Sequence, residues 1–180
     1  MLRPCREILF NSRLNYRAYI YGVDGALHRL APKGARFAMS LLPNLATAPH
    51  PATIFAWTAT AEPDRLYASA IESGEFMALL QETIRMCHEE LRYLLSSRAQ
   101  RQVDGWLSIV DDRAPLVYGR APEPDDTIGM CRAELGQVLP ETYAPMPSYR
   151  LVSRLGIFSL PRPLHAAVLS RLEHINSSNK

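Results

Sequence analysis

The residues whose types and spacing come nearest to chemistry are His88, Glu89 and Glu90. A zinc protease carries HExxH, which brings two histidines together on one helical face. Here the fifth position of that pattern is Arg92, a cation that repels a metal ion. Cys87 precedes His88 but lies about 100° around a helix from it, on the apolar side. Cys87 therefore reads as core, and His88, Glu89 and Glu90 as a solvated face.

The second cluster is acidic. Asp111 and Asp112 directly follow an expected strand, and Asp125 and Asp126 come fourteen residues on, with Glu123 beside them. Carboxylates at a strand end can hold magnesium, with water completing the shell. Asp is also an ordinary residue of turns and helix caps. Arg113 and Arg120 in the same loop supply neutralising charge. The turn reading is the stronger, and the loop 111–126 stays as the best polar cluster for an enzyme or ligand-binding alternative.

The remaining groups are dispersed. Histidines stand at 28, 50, 88, 165 and 174, with no spacing that pairs two as ligands. Cysteines at 5, 87 and 131 form no CxxC and are odd in number, which excludes a disulfide framework. No GxSxG elbow occurs, and Gly22-Val-Asp-Gly25 has neither the GxGxxG nor the P-loop spacing. Aromatic residues recur from Tyr16 to Phe158 beside Arg17, Arg29, Arg36 and Arg150. Such a set can stack single-stranded nucleic acid, but without an RNP-type motif it reads as half-buried sheet. No residue is assigned as catalytic, cofactor-binding or metal-ligating, and no cofactor is expected.

These residues must be positioned by a fold, and the hydrophobic pattern outlines it. Tyr16, Ala18 and Ile20 alternate with Arg17, Tyr19 and Tyr21, a strand period. Asp24-Gly25 reads as a tight turn and Ala26 to Leu30 as the returning strand. Arg36 to Leu42 is a short strand or helical turn between prolines, and Thr53 to Thr60 a strand buried on both faces. No proline occurs between Pro63 and Pro115. Pro63 opens a helix that Gly74 interrupts, and a long helix is expected from about Glu75 to Ser97. Its apolar positions are Phe76, Leu80, Ile84, Cys87, Leu91 and Leu94 or Leu95, with Arg85 and Glu89 paired on the outer face. Asp104-Gly105 turns into a strand, Trp106 to Val110. Further hairpins are read at Thr127–Leu139, around Gly136, and at Tyr149–Leu160, around Gly156. A helix from about Pro163 to Ile175 closes the chain, and 176–180 is expected to fray.

The pattern predicts an α+β fold. A mostly antiparallel sheet built from hairpins packs against a long central helix and a C-terminal helix. With 180 residues, 47% of them hydrophobic, and a net charge of +2, one domain over 1–180 is expected. The composition excludes a disordered or low-complexity chain, and no apolar run approaches the ~20 residues of a membrane span. Near-neutral charge argues against nucleic acid as partner.

Charge is unevenly placed. Residues 1–60 carry +5, residues 61–114 carry −4 and residues 115–180 carry +1. Every basic residue except Lys33 and Lys180 is an arginine, and arginine is the basic residue enriched at interfaces. Arg3, Arg6, Arg13 and Arg17 fall within about 80° on a helical wheel, against the single acid Glu7. An N-terminus of this kind, over 1–13, resembles an organellar targeting segment. The other reading is a first strand, Ile8 to Phe10, with solvated arginines.

The expected function is a non-catalytic structural or accessory subunit of a larger multiprotein assembly. The N-terminus points to a mitochondrial setting, with a cytoplasmic one as alternative. Near-neutral charge favours a respiratory-chain or ATP-synthase type of assembly over a ribosome. The expected partners are other protein subunits. Proline-rich segments 31–51, 111–127 and 140–147 read as loops that become ordered across such a partner. The alternative is a small soluble enzyme or ligand-binding domain using Asp111, Asp112, Asp125 and Asp126.

Overall fold

The computed structural model describes residues 1–11, 16–114 and 122–179. The class is α+β, with antiparallel pairing in every sheet. A five-stranded sheet runs in sequence order through β1 (Arg6–Asn11), β2 (Tyr16–Gly22), β3 (Phe37–Ser40), β4 (Ala56–Thr58) and β5 (Ile71–Glu72). A three-stranded sheet holds β6 (Gly105–Val110), β7 (Thr127–Glu134) and β8 (Gln137–Pro145). A small hairpin joins β9 (Val152–Ser153) to β10 (Gly156–Ile157). The helices are α1 (Gly25–Leu30), α2 (Leu66–Ser69), α3 (Gly74–Met86), α4 (His88–Gln102) and α5 (Arg162–Ser178).

The N-terminal segment contains strand β1, and Arg36 to Leu42 contains strand β3 rather than a helical turn. Arg13 lies outside the described residues. β4 is buried at every position, as its unbroken apolarity implies. The returning strand at Ala26 to Leu30 is instead α1, because β2 already has β1 on one edge and β3 on the other. Asp24 O accepts from Leu27 N–H at 2.9 Å and starts the helix. The Pro63 helix is only a 3-10 turn followed by α2, and the two-residue β5 comes between α2 and α3.

The single long helix is also corrected. It is two helices, broken at Cys87, where ψ is 58°. The buried series Phe76, Leu80, Ile84, Cys87, Leu91, Leu95 runs through the break without a change of spacing. That is why periodicity does not reveal it. The break re-aims the chain: α3 packs on α5, and α4 packs on β8 and β6. It also separates Arg85 from Glu89, and Glu89 pairs with Arg92 at 2.6 Å.

Two of the three proline-rich segments are corrected as well. Residues 38–42 with Leu45 and Ala46 are buried in the chain's own core. Pro140 and Pro145 lie inside β8, an edge strand, where a missing N–H is tolerated. The ladder shifts register between Met130 and Arg132. There Thr142 Oγ1 accepts from Arg132 N–H at 2.8 Å and donates to Leu139 O at 2.6 Å. Residues 115–121 of the third segment lie outside the described residues.

The C-terminal tail does not fray at 176. α5 continues to Ser178, and Asn176 is buried. Its Oδ1 accepts from Ala46 N–H at 2.7 Å, and its Nδ2 donates to Asn44 O at 3.0 Å. The buried apolar side chains form one continuous cluster across both larger sheets and the helices. At its centre Phe55, Phe76 and Phe158 meet edge to face, with centroids 5.3–5.9 Å apart. No helix among the described residues is long and apolar enough to cross a membrane.

Candidate functional site

The acidic cluster stands where β6 ends. Asp111 N–H donates to Asp126 O at 2.9 Å, and Asp112 N–H to Ser159 O at 2.7 Å. These bonds turn the Asp111 side chain inward. Its Oδ1 accepts from Arg113 N–H and Ser159 N–H, both at 2.9 Å, and its Oδ2 accepts from the Tyr149 hydroxyl at 2.7 Å.

Arg113 completes the arrangement. Its Nε lies 3.5 Å from Asp111 Oδ2 and donates to Asp126 Oδ1 at 3.2 Å. Its Nη1 donates to the carbonyls of Leu151 at 3.2 Å and Gly156 at 3.0 Å, and its Nη2 to the carbonyl of Arg150. The guanidinium also sits 5.9 Å from the Tyr149 ring centroid. Burial raises the Asp111 carboxyl to about 6. Arg113 and the surrounding N–H and O–H donors pull the other way. This is a buried polar network whose members satisfy one another, and it ties the loop after β6 to the β9–β10 hairpin.

The expected cluster is therefore split. Asp111 and Asp126 are brought together around Arg113, a cation, while Asp112, Glu123 and Asp125 are exposed. Arg120 lies outside the described residues. Tyr149 and Ser159, essential to the network, come from 38 and 48 residues away in the chain. No local spacing signals them.

Above this network the hairpin tip projects Ser153, Arg154 and Leu155 between two open grooves. One, of about 400 Å³, is walled by Ile8, Pro63, Leu66, Tyr67, Val152 and Leu155. The other, of about 530 Å³, is walled by Tyr67, Glu123, Asp125, Arg150, Arg154 and Leu155. Tyr67 and Leu155 are 48% and 51% exposed. Arg154 stacks 5.9 Å from the Tyr67 ring centroid. Glu72 Oε1 accepts from Arg150 Nε at 3.0 Å and from Val152 N–H at 3.1 Å, so the edge strand β5 holds the hairpin's base.

The other candidates fall where their sequence context places them. Cys87 is buried, and His88 and Glu89 are exposed. Burial raises the Cys87 and Cys131 thiols to about 11, which keeps them protonated and poorly nucleophilic at neutral pH. His50 Nδ1 accepts from Ala52 N–H at 3.1 Å, an end-capping role. Tyr21, Phe55, Trp57, Tyr143, Tyr149 and Phe158 are buried, so they offer no stacking platform. Trp106 is exposed. Among the described residues no group of three or more His, Cys, Asp and Glu is placed to hold a metal ion.

Fold and site together define an α+β protein with an arginine-stapled hairpin between two shallow grooves. Compared with protein-family models, curated proteins and solved structures, the chain matches none.

Proposed function

We propose that this chain is a non-catalytic accessory subunit of a larger protein assembly, held there by the β9–β10 face. One observation carries the reading: Arg154 stacked on Tyr67, with Leu155 exposed at the hairpin tip between two contiguous grooves. Aromatic and arginine side chains on a rigid base are the composition of interface cores. Engagement of both Asp111 oxygens by Arg113 N–H, Ser159 N–H and the Tyr149 hydroxyl, with Asp126 paired to Arg113, favours this reading over an acidic-loop enzyme. The proposed setting is the mitochondrion, in an assembly of the respiratory-chain or ATP-synthase type. Its support is the Arg-rich, acid-poor N-terminus together with a net charge of +2.

The test is native mass in a gentle cell extract, with organelle fractionation alongside. Wild type should migrate far above its own 20.2 kDa with a constant set of proteins. Tyr67→Ser with Leu155→Ser should release it without unfolding it. Migration of wild type at the mass of a monomer contradicts the proposal, and exclusion from mitochondria contradicts the setting.

A further inference from the structure

The start of β6, at the opposite end of that strand from Asp111, breaks two local rules at once. α4 stops at Val103, which has φ 65° and ψ −62°, and Asp104 N–H donates back to Gln102 O at 2.8 Å. That is a γ-turn of positive φ, a strained geometry and least suited to a β-branched residue. Beside it the β7–β8 turn places Leu135 at φ 50°, where Asn, Asp or Gly ordinarily sits. The two turns are locked together. Gly136 N–H donates to Val103 O at 2.8 Å, and Leu135 N–H to Asp104 Oδ1 at 2.9 Å.

Neither side chain is drawn in by the core. Leu135 is 85% exposed and Val103 47%, and Trp106, just inside β6, is 50%. Apolar side chains stand in water on backbone that favours glycine or asparagine. The fold supplies no reason for them, and a functional surface does.

The charge around this corner leans positive, with Arg98, Arg101 and Arg132 against Asp104 and Glu134. Arg98 and Arg101 occupy the last turns of α4, and neither guanidinium has an ion pair or hydrogen bond among the described residues. Arg98 is half-buried, and burial and the charge of Arg101 both work against its ionised form. Nearby Arg132 is already paired with Glu134 at 2.8 Å. Asp104 is engaged by Leu135 N–H. Asp104 keeps its charge, so the surplus at the corner is one positive charge, carried by the unpaired guanidinium groups of Arg98 and Arg101.

We propose that this corner, Val103 and Leu135 beside Arg98 and Arg101 at the end of α4, docks an acidic segment of another protein subunit. That segment carries apolar side chains bracketed by carboxylates. The proposal rests on the accessory-subunit reading and gives the chain a second contact beyond the hairpin face. Branched apolar side chains at the centre of the corner suit a protein segment better than a phosphate backbone.

The experiment uses the full chain in an extract of its own cells. Val103→Gly with Leu135→Asn removes both backbone outliers, so the purified variant should melt at or above the wild-type Tm. The same variant should lose about tenfold or more of its assembled fraction, the effect of removing an interface anchor. Arg101→Glu should do likewise, and Arg101→Lys should stay assembled. In Arg101→Lys, carbodiimide should then join the new amine to a carboxylate of one constant partner chain. If wild type is assembled and these variants remain so, the corner is not the contact, while the subunit reading stands. A native mass of two chains that the variants halve would identify a second copy and overturn the acidic partner. Release by nuclease would overturn it as well. Wild type at its own mass would overturn both this proposal and the subunit reading.

Discussion

At the scale of single residues, Arg113 ties the loop after β6 to two carboxylates and to the β9–β10 hairpin. It neutralises Asp111 and Asp126 and caps the carbonyls of Arg150, Leu151 and Gly156. Arg113→Met would leave two buried carboxylates without their cation and take one donor from each of three carbonyls, of which Leu151 O keeps Phe158 N–H. A loss of roughly 3–5 kcal/mol is expected in urea unfolding, and a loss below ~1 kcal/mol would show the network to be ornamental. The pH dependence of stability follows from a buried carboxyl, Asp111, and a half-buried imidazole, His165, which shift in opposite directions. Burial raises Asp111 to about 6, so the folded chain holds that proton more tightly than the unfolded chain does. Its contribution is present at low pH and is lost as pH rises from ~4 to about 6. Burial lowers His165 to about 4. Its contribution is present above ~6.5 and is lost as pH falls toward 4. The two slopes oppose one another over the same window. Asp111→Asn should therefore leave a stability that rises with pH between ~4 and ~6.5, and His165→Gln one that falls. Slopes of the same sign in both variants would refute the assignment.

At the scale of elements, the places where pattern and structure part company have a common cause. Hydrophobic spacing reports which face is buried, and it is blind to a change of direction that keeps the face. Phe76 through Leu95 stays apolar across the Cys87 break, so one helix is expected where α3 and α4 stand. Pro140 marks a loop by composition, yet edge position and the Thr142 hydroxyl let β8 run through it. Ala26 to Leu30 reads as a strand only until β1 and β3 have claimed both edges of β2. Asn176 looks like tail because its partners, Asn44 and Ala46, lie 132 and 130 residues away. That last tie is testable. Asn176→Ala removes both bonds and strands the buried Ala46 N–H, at a cost of about 1–3 kcal/mol. Hydrogen exchange should show lost protection in the last turn of α5 and in 44–46, with α3 unaffected. A second check concerns the sheet under α4. A Cβ at Gly129 would stand 2.6 Å from the Tyr143 ring and 2.8 Å from Ala144 O. Gly129→Ala should thus cost about 1–3 kcal/mol, as overpacking does, and a neutral effect would mean that Tyr143 moves freely.

At the scale of the whole molecule, the class of fold was legible because α+β is written in local alternation and helical spacing. The surfaces were not, because each is assembled from distant segments. The hairpin face joins Tyr67, Glu123 and Arg150 to Leu155, and the corner joins the end of α4 to the β7–β8 turn. Asp111 and Asp126 were legible as a cluster, but the partners that close it on itself were not. Lying toward opposite ends of β6, the two faces make this chain a bridge in the proposed assembly. A bridge has a kinetic signature. With one face released, the other keeps the chain near its partner at high effective concentration, so release of the first is reversed before the chain escapes. Differences of this kind appear in dissociation rather than association. Tyr67→Ser with Leu155→Ser, and Val103→Gly with Leu135→Asn, should each speed exchange of the tagged chain out of the assembly. The two pairs combined should speed it by more than the sum of the separate effects. The faces also differ in salt response. Raising ionic strength from ~0.1 M to ~1 M shortens the screening length from about 10 Å to about 3 Å. That should weaken the corner, held by Arg98 and Arg101, more than the hairpin contact, where Tyr67 and Leu155 stand among charges of both signs. Salt should therefore accelerate exchange of the hairpin-face variant, which relies on the corner, far more than exchange of the corner variant. Pulse-chase exchange at the two salt concentrations reads this directly, and equal acceleration of both variants would show that the faces are not electrostatically distinct.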